Sequence, residues 1–352
     1  MYCKRKFVFI CFTFCTLIAC KNDFSKAQKV ETKTTFKNPL LVTGPDPWVT
    51  QKDGIYYFCR STGRDLEIIS TKKMSQLGQA KSVRIWTPPA DKLYSKELWA
   101  PELHYLDGKW YMYFAADDGN NDHHRMYVIE NSNQNPLTQN WIFKGQIADA
   151  TNKWAIDGSV FTYKNINYMI WSGWEGDNNI SQNIYIAKLK NPWTIEGQRV
   201  MLSSPTYDWE KRGSGNGLPT VNEGPEALIS PQGRLFIDYS ASGCWTDDYA
   251  LGLLTLKADG DPMEANDWTK SDTSVFHKSE ENSAYGTGHN GFFKSPDGKE
   301  DWIIYHANPK SGEGCSNYRS PRMQRFTWNA DGTPDFGIPV KTGVAMDVPS
   351  GE

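Results

Sequence analysis

A chain of 352 residues whose 38 basic and 41 acidic side chains leave a formal net charge of -3 has no basic stripe of the kind that nucleic acid requires, so a nucleic-acid partner is excluded. Aromatic residues make up 13% of it, with 14 Trp, more than a core alone demands. The surplus suits sugar rings, whose apolar C–H faces stack on indole and phenol while their hydroxyls seek hydrogen bonds.

At the amino terminus Lys4, Arg5 and Lys6 precede an apolar run over residues 7–18, too short to span a bilayer and shaped like a secretory signal. It ends in Leu17-Ile18-Ala19-Cys20, which resembles the bacterial lipobox. That resemblance implies cleavage before Cys20 and its lipidation; the competing reading is an ordinary signal peptide with incidental cysteines. Lys21 after the cysteine implies an outer-membrane address, on the periplasmic or the cell-surface face, with the lipid anchor as the sole membrane contact. The stretch to residue 37 is polar and Lys/Thr-rich and reads as a tether. The expected division is therefore a signal at 1–19, a lipid-anchored tether at 20–37 and one secreted domain at 38–352.

That domain repeats itself. A cluster of acidic residue, Pro and Gly, then a turn and an aromatic run, occurs at Asp46-Pro47-Trp48 with Gly54-Ile55-Tyr56-Tyr57-Phe58, and at Pro101-Glu102 with Gly108-Lys109-Trp110-Tyr111. It returns at Asp157-Gly158 with Asn165 and Tyr168-Met169-Ile170-Trp171, at Glu223-Gly224-Pro225 with Gly233 and Phe236-Ile237-Asp238-Tyr239, and at Gly288-His289-Asn290 with Gly298 and Trp302-Ile303-Ile304-Tyr305. The turn residues are separated by roughly 54 to 68 positions, the period of an array of four-stranded sheets. The expected fold is all-β, a five-bladed β-propeller.

Helical periodicity is weak, and short turns of helix are expected only near residues 70–78 and 263–268. Polar loops at 117–124, 175–181 and 211–220 should gather on one face. His123-His124 falls in the first of them and reads as solvated surface. Trp171 and Trp174 read as packing between blades. Beyond the signal and Cys20, the cysteines are Cys59, Cys244 and Cys315; a Cys244–Cys315 disulfide and three unpaired buried thiols are both open.

In a propeller the innermost strands line a central channel, so Asp46, Glu102, Asp157, Glu223 and His289 should converge at one opening. Clustered carboxylates raise the proton affinity of one while leaving another ionised, the division of labour that glycoside hydrolysis needs.

The five motifs, in this order and spaced by blades, resemble glycoside hydrolase family 43, with an arabinofuranosidase or exo-arabinanase as the nearest kind of member. The resemblance rests on Gly44-Pro45-Asp46-Pro47-Trp48, Leu98-Trp99-Ala100-Pro101-Glu102, Ala155-Ile156-Asp157-Gly158-Ser159, Asn222-Glu223-Gly224-Pro225 and Gly288-His289-Asn290. It implies that Asp46 is the general base, Glu223 the general acid and Asp157 the carboxylate that orients Glu223 and keeps its pKa high. It further implies that Trp99, His289 and Arg322 contact the sugar. No cofactor is required; a calcium or other ion in the central channel, with His289 beside it, is the one metal it suggests. Inversion implies that Asp46 and Glu223 stand roughly 6.5–9.5 Å apart. Glu226 is a rival acid that strand alternation would point to the opposite face from Glu223. Glu102 departs from the Asp often found in the family.

The function implied is hydrolysis, with inversion, of terminal α-L-arabinofuranosyl residues in plant arabinan, arabinoxylan or their oligosaccharides. A β-xylosidase on the same fold, a surface lipoprotein that binds glycans without cleaving them, and a structural or protein-interaction propeller remain alternatives. The full carboxylate set favours an enzyme.

Overall fold

The computed structural model describes residues 1, 2, 4, 6–10 and 34–352. Residues 1–33 form a unit of their own, whose described residues carry neither helix nor strand; the expected cleavage site and Cys20 lie outside the described residues. Everything that follows concerns the compact unit Thr34–Glu352.

Three four-stranded antiparallel sheets stand alone. They are β2 to β5 (Trp48–Lys52, Ile55–Ser61, Leu66–Thr71, Ser82–Trp86), β6 to β9 (Lys96–Leu106, Lys109–Asp117, Arg125–Asn131, Ile142–Gln146) and β18 to β21 (Tyr285–Lys294, Asp301–Asn308, Ser320–Trp328, Pro334–Asp335). Between them lie β10 to β13 (Ala155–Tyr163, Ile166–Gly173, Ser181–Asn191, Thr194–Ser203) and β14 to β17 (Thr220–Ile229, Leu235–Ala241, Ala250–Leu256, Trp268–Lys270). These two blades are joined by the short parallel pairing of Ser181 with Thr220 and Gln182 with Val221. The result is the expected five-bladed propeller.

Blades pack face to face, so a strand in mid-blade is covered on both sides and reads as a continuous apolar run. Strand β7 shows how alternation then serves two cores at once. Its Trp110, Met112, Phe114 and Ala116 pack with Tyr57, Cys59, Leu66 and Ile68 of the first blade. The intervening Tyr111, Tyr113 and Ala115 pack with Val160, Met169 and Trp171 of the third. Each first hairpin turns on a left-handed residue at the expected position: Gly54, Gly108, Asn165, Gly233 and Gly298 have φ of 73°, 81°, 63°, 83° and 72°. Helix in this unit is confined to short 3-10 segments, among them Met74–Gln79, kinked at Gln76, and Ala265–Asp267.

The ends of the unit close on each other. Strand β1 (Thr35–Lys37) pairs antiparallel with β22 (Ala345–Asp347). The Asn38 side chain then clamps Met323, donating to its carbonyl and accepting its N–H, both at 2.9 Å. The fold therefore begins inside the segment read as tether, three residues before the expected boundary at 38. Phe36 is the reason: it buries beside Trp302 and Met323, an apolar contact that a lone aromatic in a polar stretch does not announce.

Candidate active site

The inner strands break register where the motifs fall, between Trp99 and Glu102, Ile156 and Ser159, Glu223 and Glu226, and Gly288 and Gly291. Within these breaks Ala100, Asp157, Gly224 and His289 take φ of 40°, 55°, 53° and 44°, and Asp46, just ahead of β2, takes 53°. A left-handed non-glycine residue costs on the order of 1–3 kcal/mol, and such bulges kink a strand and re-aim its side chains. Here the cost brings Asp46, Asp157, Glu223 and His289 to the wall of one pocket of about 460 Å³, with Trp99 and Arg319 beside them. The three polar loops do gather there, supplying Asn121, Asn179, Leu218 and Pro219.

The pocket sorts its carboxylates by charge. Burial alone would raise the Asp46 carboxyl, but His289 Nδ1 at 3.3 Å and Arg319 Nη1 at 3.1 Å outweigh it and hold it far below the usual carboxylate range. His306 takes a different part: buried, and lowered to about 4, it stays neutral, and its Nδ1 accepts the Asp46 backbone N–H at 3.2 Å. Asp46 is thus ionised and fixed. Asp157 is pushed up to about 7, first by burial and then by the charges of Glu223 and Asp46, against the pull of His289. Its Oδ2 accepts the Gly224 N–H at 3.0 Å, which pins the residue next to Glu223. Glu223 is also raised, by burial first and Asp46 second, although His289 and the Tyr249 hydroxyl, which donates to Oε1 at 2.8 Å, oppose this. Burial lowers His289, but Asp46, Asp157 and Glu223 together raise it, which favours its protonated form among them.

One donor atom each of Asp157, Glu223 and His289 lie within 4.8 Å of one another. Two carboxylates and an imidazole fall well short of the six to eight oxygens that calcium takes, and the proton drawn onto His289 already supplies the positive charge the acids attract. The set fits a calcium ion poorly.

Residues 36–334 match the family profile of Glycosyl hydrolases family 43. The chain belongs to that family. This family 43 chain is 41% identical over 319 residues to the extracellular exo-α-(1→5)-L-arabinofuranosidase of Streptomyces avermitilis, a match covering 88% of the chain and 65% of that protein. It therefore spans a little under two thirds of that relative's length. It is 37% identical over 279 residues to the extracellular exo-α-(1→5)-L-arabinofuranosidase of Streptomyces chartreusis, covering 77% and 82%. Its fold superposes on the crystal structure of α-L-arabinofuranosidase from Lactobacillus brevis with a TM-score of 0.81 at 38% identity, covering 88% of this chain and 98% of that one.

Not every sequence expectation reaches the pocket of this family 43 fold. Arg322 does not. It is fully buried within the last blade, its guanidinium donating to the carbonyls of Val340 at 2.9 Å and Ser283 at 3.0 Å. Arg319, which precedes β20 and so stays on the loop face, occupies the position expected of it. Glu102 is also turned away, bonded to His104 at 2.9 Å in a buried layer with Glu226, which contacts Ser159 at 3.3 Å. The bulge at Gly224 separates Glu226 from Glu223, and only Glu223 faces the pocket. His124 is not solvated surface: it is fully buried, 3.1 Å from Asp117, and stacks under Trp99 with ring centroids 4.0 Å apart. Trp171 and Trp174 are buried core, as expected. Cys244 and Cys315 form a disulfide and Cys59 is a buried thiol. Sequence reasoning missed His306 and Tyr249. His306 is legible only as the cross-strand partner of Gly288, and Tyr249 follows an irregular loop that carries no motif.

Proposed function

We propose that this chain is an inverting glycoside hydrolase that removes terminal α-L-arabinofuranosyl residues from arabinan, arabinoxylan or their oligosaccharides. The observation that carries the reading is the pair of carboxylates pushed in opposite directions in one pocket: Asp46 pulled down by His289 and Arg319 against its burial, Glu223 raised by burial. An ionised carboxylate takes a proton from the attacking water while a protonated one gives its own to the leaving oxygen; a water between them asks for a separation of roughly 6.5–9.5 Å. In this reading Asp157 positions Glu223 through the Gly224 N–H, while the charge that raises Glu223 is chiefly that of Asp46 and not, as the resemblance implied, that of Asp157. Trp99, rigid on His124, and protonated His289 contact the bound sugar, and Arg319 takes the part first assigned to Arg322. The acid–base chemistry calls on no cofactor, and an ion at His289 would have to displace its proton. The choice of arabinose rests on the names of the relatives, which are exo-acting arabinofuranosidases. Their description as extracellular and the disulfide both favour an exported protein. Lipidation at Cys20 and an outer-membrane anchor complete this reading.

The test is release of free sugar from paired aryl α-L-arabinofuranoside and aryl β-D-xyloside by residues 21–352, with Asp46→Ala as control. Arabinose release that disappears in the variant is the expected outcome. Xylose release alone would rename the enzyme, and glycan binding without any turnover would replace it with a sugar-capturing protein.

A further inference from the structure

Beyond the carboxylates, the pocket wall is built from two loops. Residues 242–249 join β15 to β16 and end on Tyr249, the partner of Glu223; residues 309–319 join β19 to β20 and end on Arg319, the partner of Asp46. The Cys244–Cys315 disulfide ties one to the other across 71 positions of sequence. A second tie lies alongside it, where Asp247 accepts from the Ser311 hydroxyl and from the Gly312 N–H. The loop that reaches the acid is thus locked to the loop that reaches the base.

Trp245 follows the disulfide and lines the same pocket, part-exposed. Its indole is held by one hydrogen bond and by two closely packed glycines. Nε1 donates to the Gly213 carbonyl at 3.0 Å. A Cβ on Gly213 would lie 2.6 Å from Nε1 and one on Gly243 would lie 2.2 Å from the ring, so both positions need glycine for the ring to sit where it does. A Cβ on Gly314 would come within 3.3 Å of the Trp245 backbone. An apolar plane fixed this firmly in the pocket that holds the carboxylates is preorganised for a sugar face, because little side-chain freedom is left to lose on binding.

The side of the pocket follows from the chemistry. Glu223 protonates the leaving oxygen, so the sugar beyond the cleaved bond must lie on the Glu223 side, where this loop descends to Tyr249. We propose that Trp245 is the stacking platform for the leaving sugar, and that the Cys244–Cys315 disulfide holds it there. The inference rests on the hydrolase reading above.

Two substrates separate the roles: α-L-arabinofuranosyl fluoride, whose leaving group is a single atom, and an α-1,5-linked arabinobiose, whose leaving group is a sugar. Trp245→Ala should lower kcat/KM on the disaccharide about five- to tenfold, mainly through KM, and leave the fluoride within about twofold. Trp245→Phe should recover most of the loss. Cys244→Ser/Cys315→Ser should also cost more on the disaccharide than on the fluoride, because the Asp247 tie to Ser311 and Gly312 still holds the loops of Tyr249 and Arg319 together, which keeps the test decisive even if Trp245→Ala folds poorly. Equal losses on both substrates, or no loss on either, would overturn the proposal. A wild-type protein inactive on both would remove the hydrolase reading itself, and this inference with it.

Discussion

Protonation at single residues decides whether the pocket works. Asp46 is held so low that it stays ionised throughout the physiological range, so the pH limit should come from the acid side of the pair. As pH rises, the raised Glu223 carboxyl loses its proton and kcat/KM should fall, with Asp157 beside it pushed up to about 7. The Tyr249 hydroxyl stabilises ionised Glu223, so Tyr249→Phe should leave the proton on to higher pH and move this basic limb upward in a kcat/KM profile; a limb that stays put or moves down would separate Tyr249 from the acid's titration. Glu223→Gln should cost about a hundredfold or more on oligosaccharide, yet far less on a substrate whose leaving group needs no proton. Equal losses on the two would show that Glu223 is not the proton donor.

The working element is the bulged inner strand. Asp46, Asp157 and Glu223 could be singled out in the sequence because each stands beside Gly or Pro at a strand start, and those neighbours are there because the backbone turns left-handed at or next to the functional side chain. Gly224 shows both constraints at once: its φ is 53°, and a Cβ would meet the His289 ring at 3.1 Å. Gly224→Ala should therefore destabilise by about 1–2 kcal/mol and, by displacing His289 and Glu223, lower kcat/KM on the order of a hundredfold. Gly298 offers the control, because its φ is 72° but nothing lies within 4 Å of a Cβ. Gly298→Ala should cost similar stability in a urea melt and leave kinetics unchanged. Arg322 and Arg319 illustrate the limit of reading by element: three positions apart, they sit on either side of a strand start, and only the exact residue where β20 begins decides which one reaches the pocket.

At the scale of the whole molecule, the ring of blades is closed by the contact of its two ends. Phe36, Asn38 and the β1–β22 pair bring the start of the Thr34–Glu352 unit against the last blade. Phe36→Ala removes a buried aromatic anchor far from the pocket and should lower stability by about 3 kcal/mol, seen as a reduced urea midpoint with KM unchanged. A changed KM would mean that closure of the ring reaches the site.

The sequence by itself determined the blade count, the hairpin turns and which three carboxylates share one pocket, since period, turn chemistry and left-handed motif residues are local properties written in neighbouring positions. Tertiary structure decided the rest. Which arginine faces Asp46, the neutral His306 beneath it, the buried His124 under Trp99, the Tyr249 hydroxyl on Glu223 and the choice of Cys244 with Cys315 all join residues far apart in the chain. Such pairings depend on how five sheets pack around one axis, a geometry fixed by the summed burial of both faces of every blade and not by any one stretch of sequence.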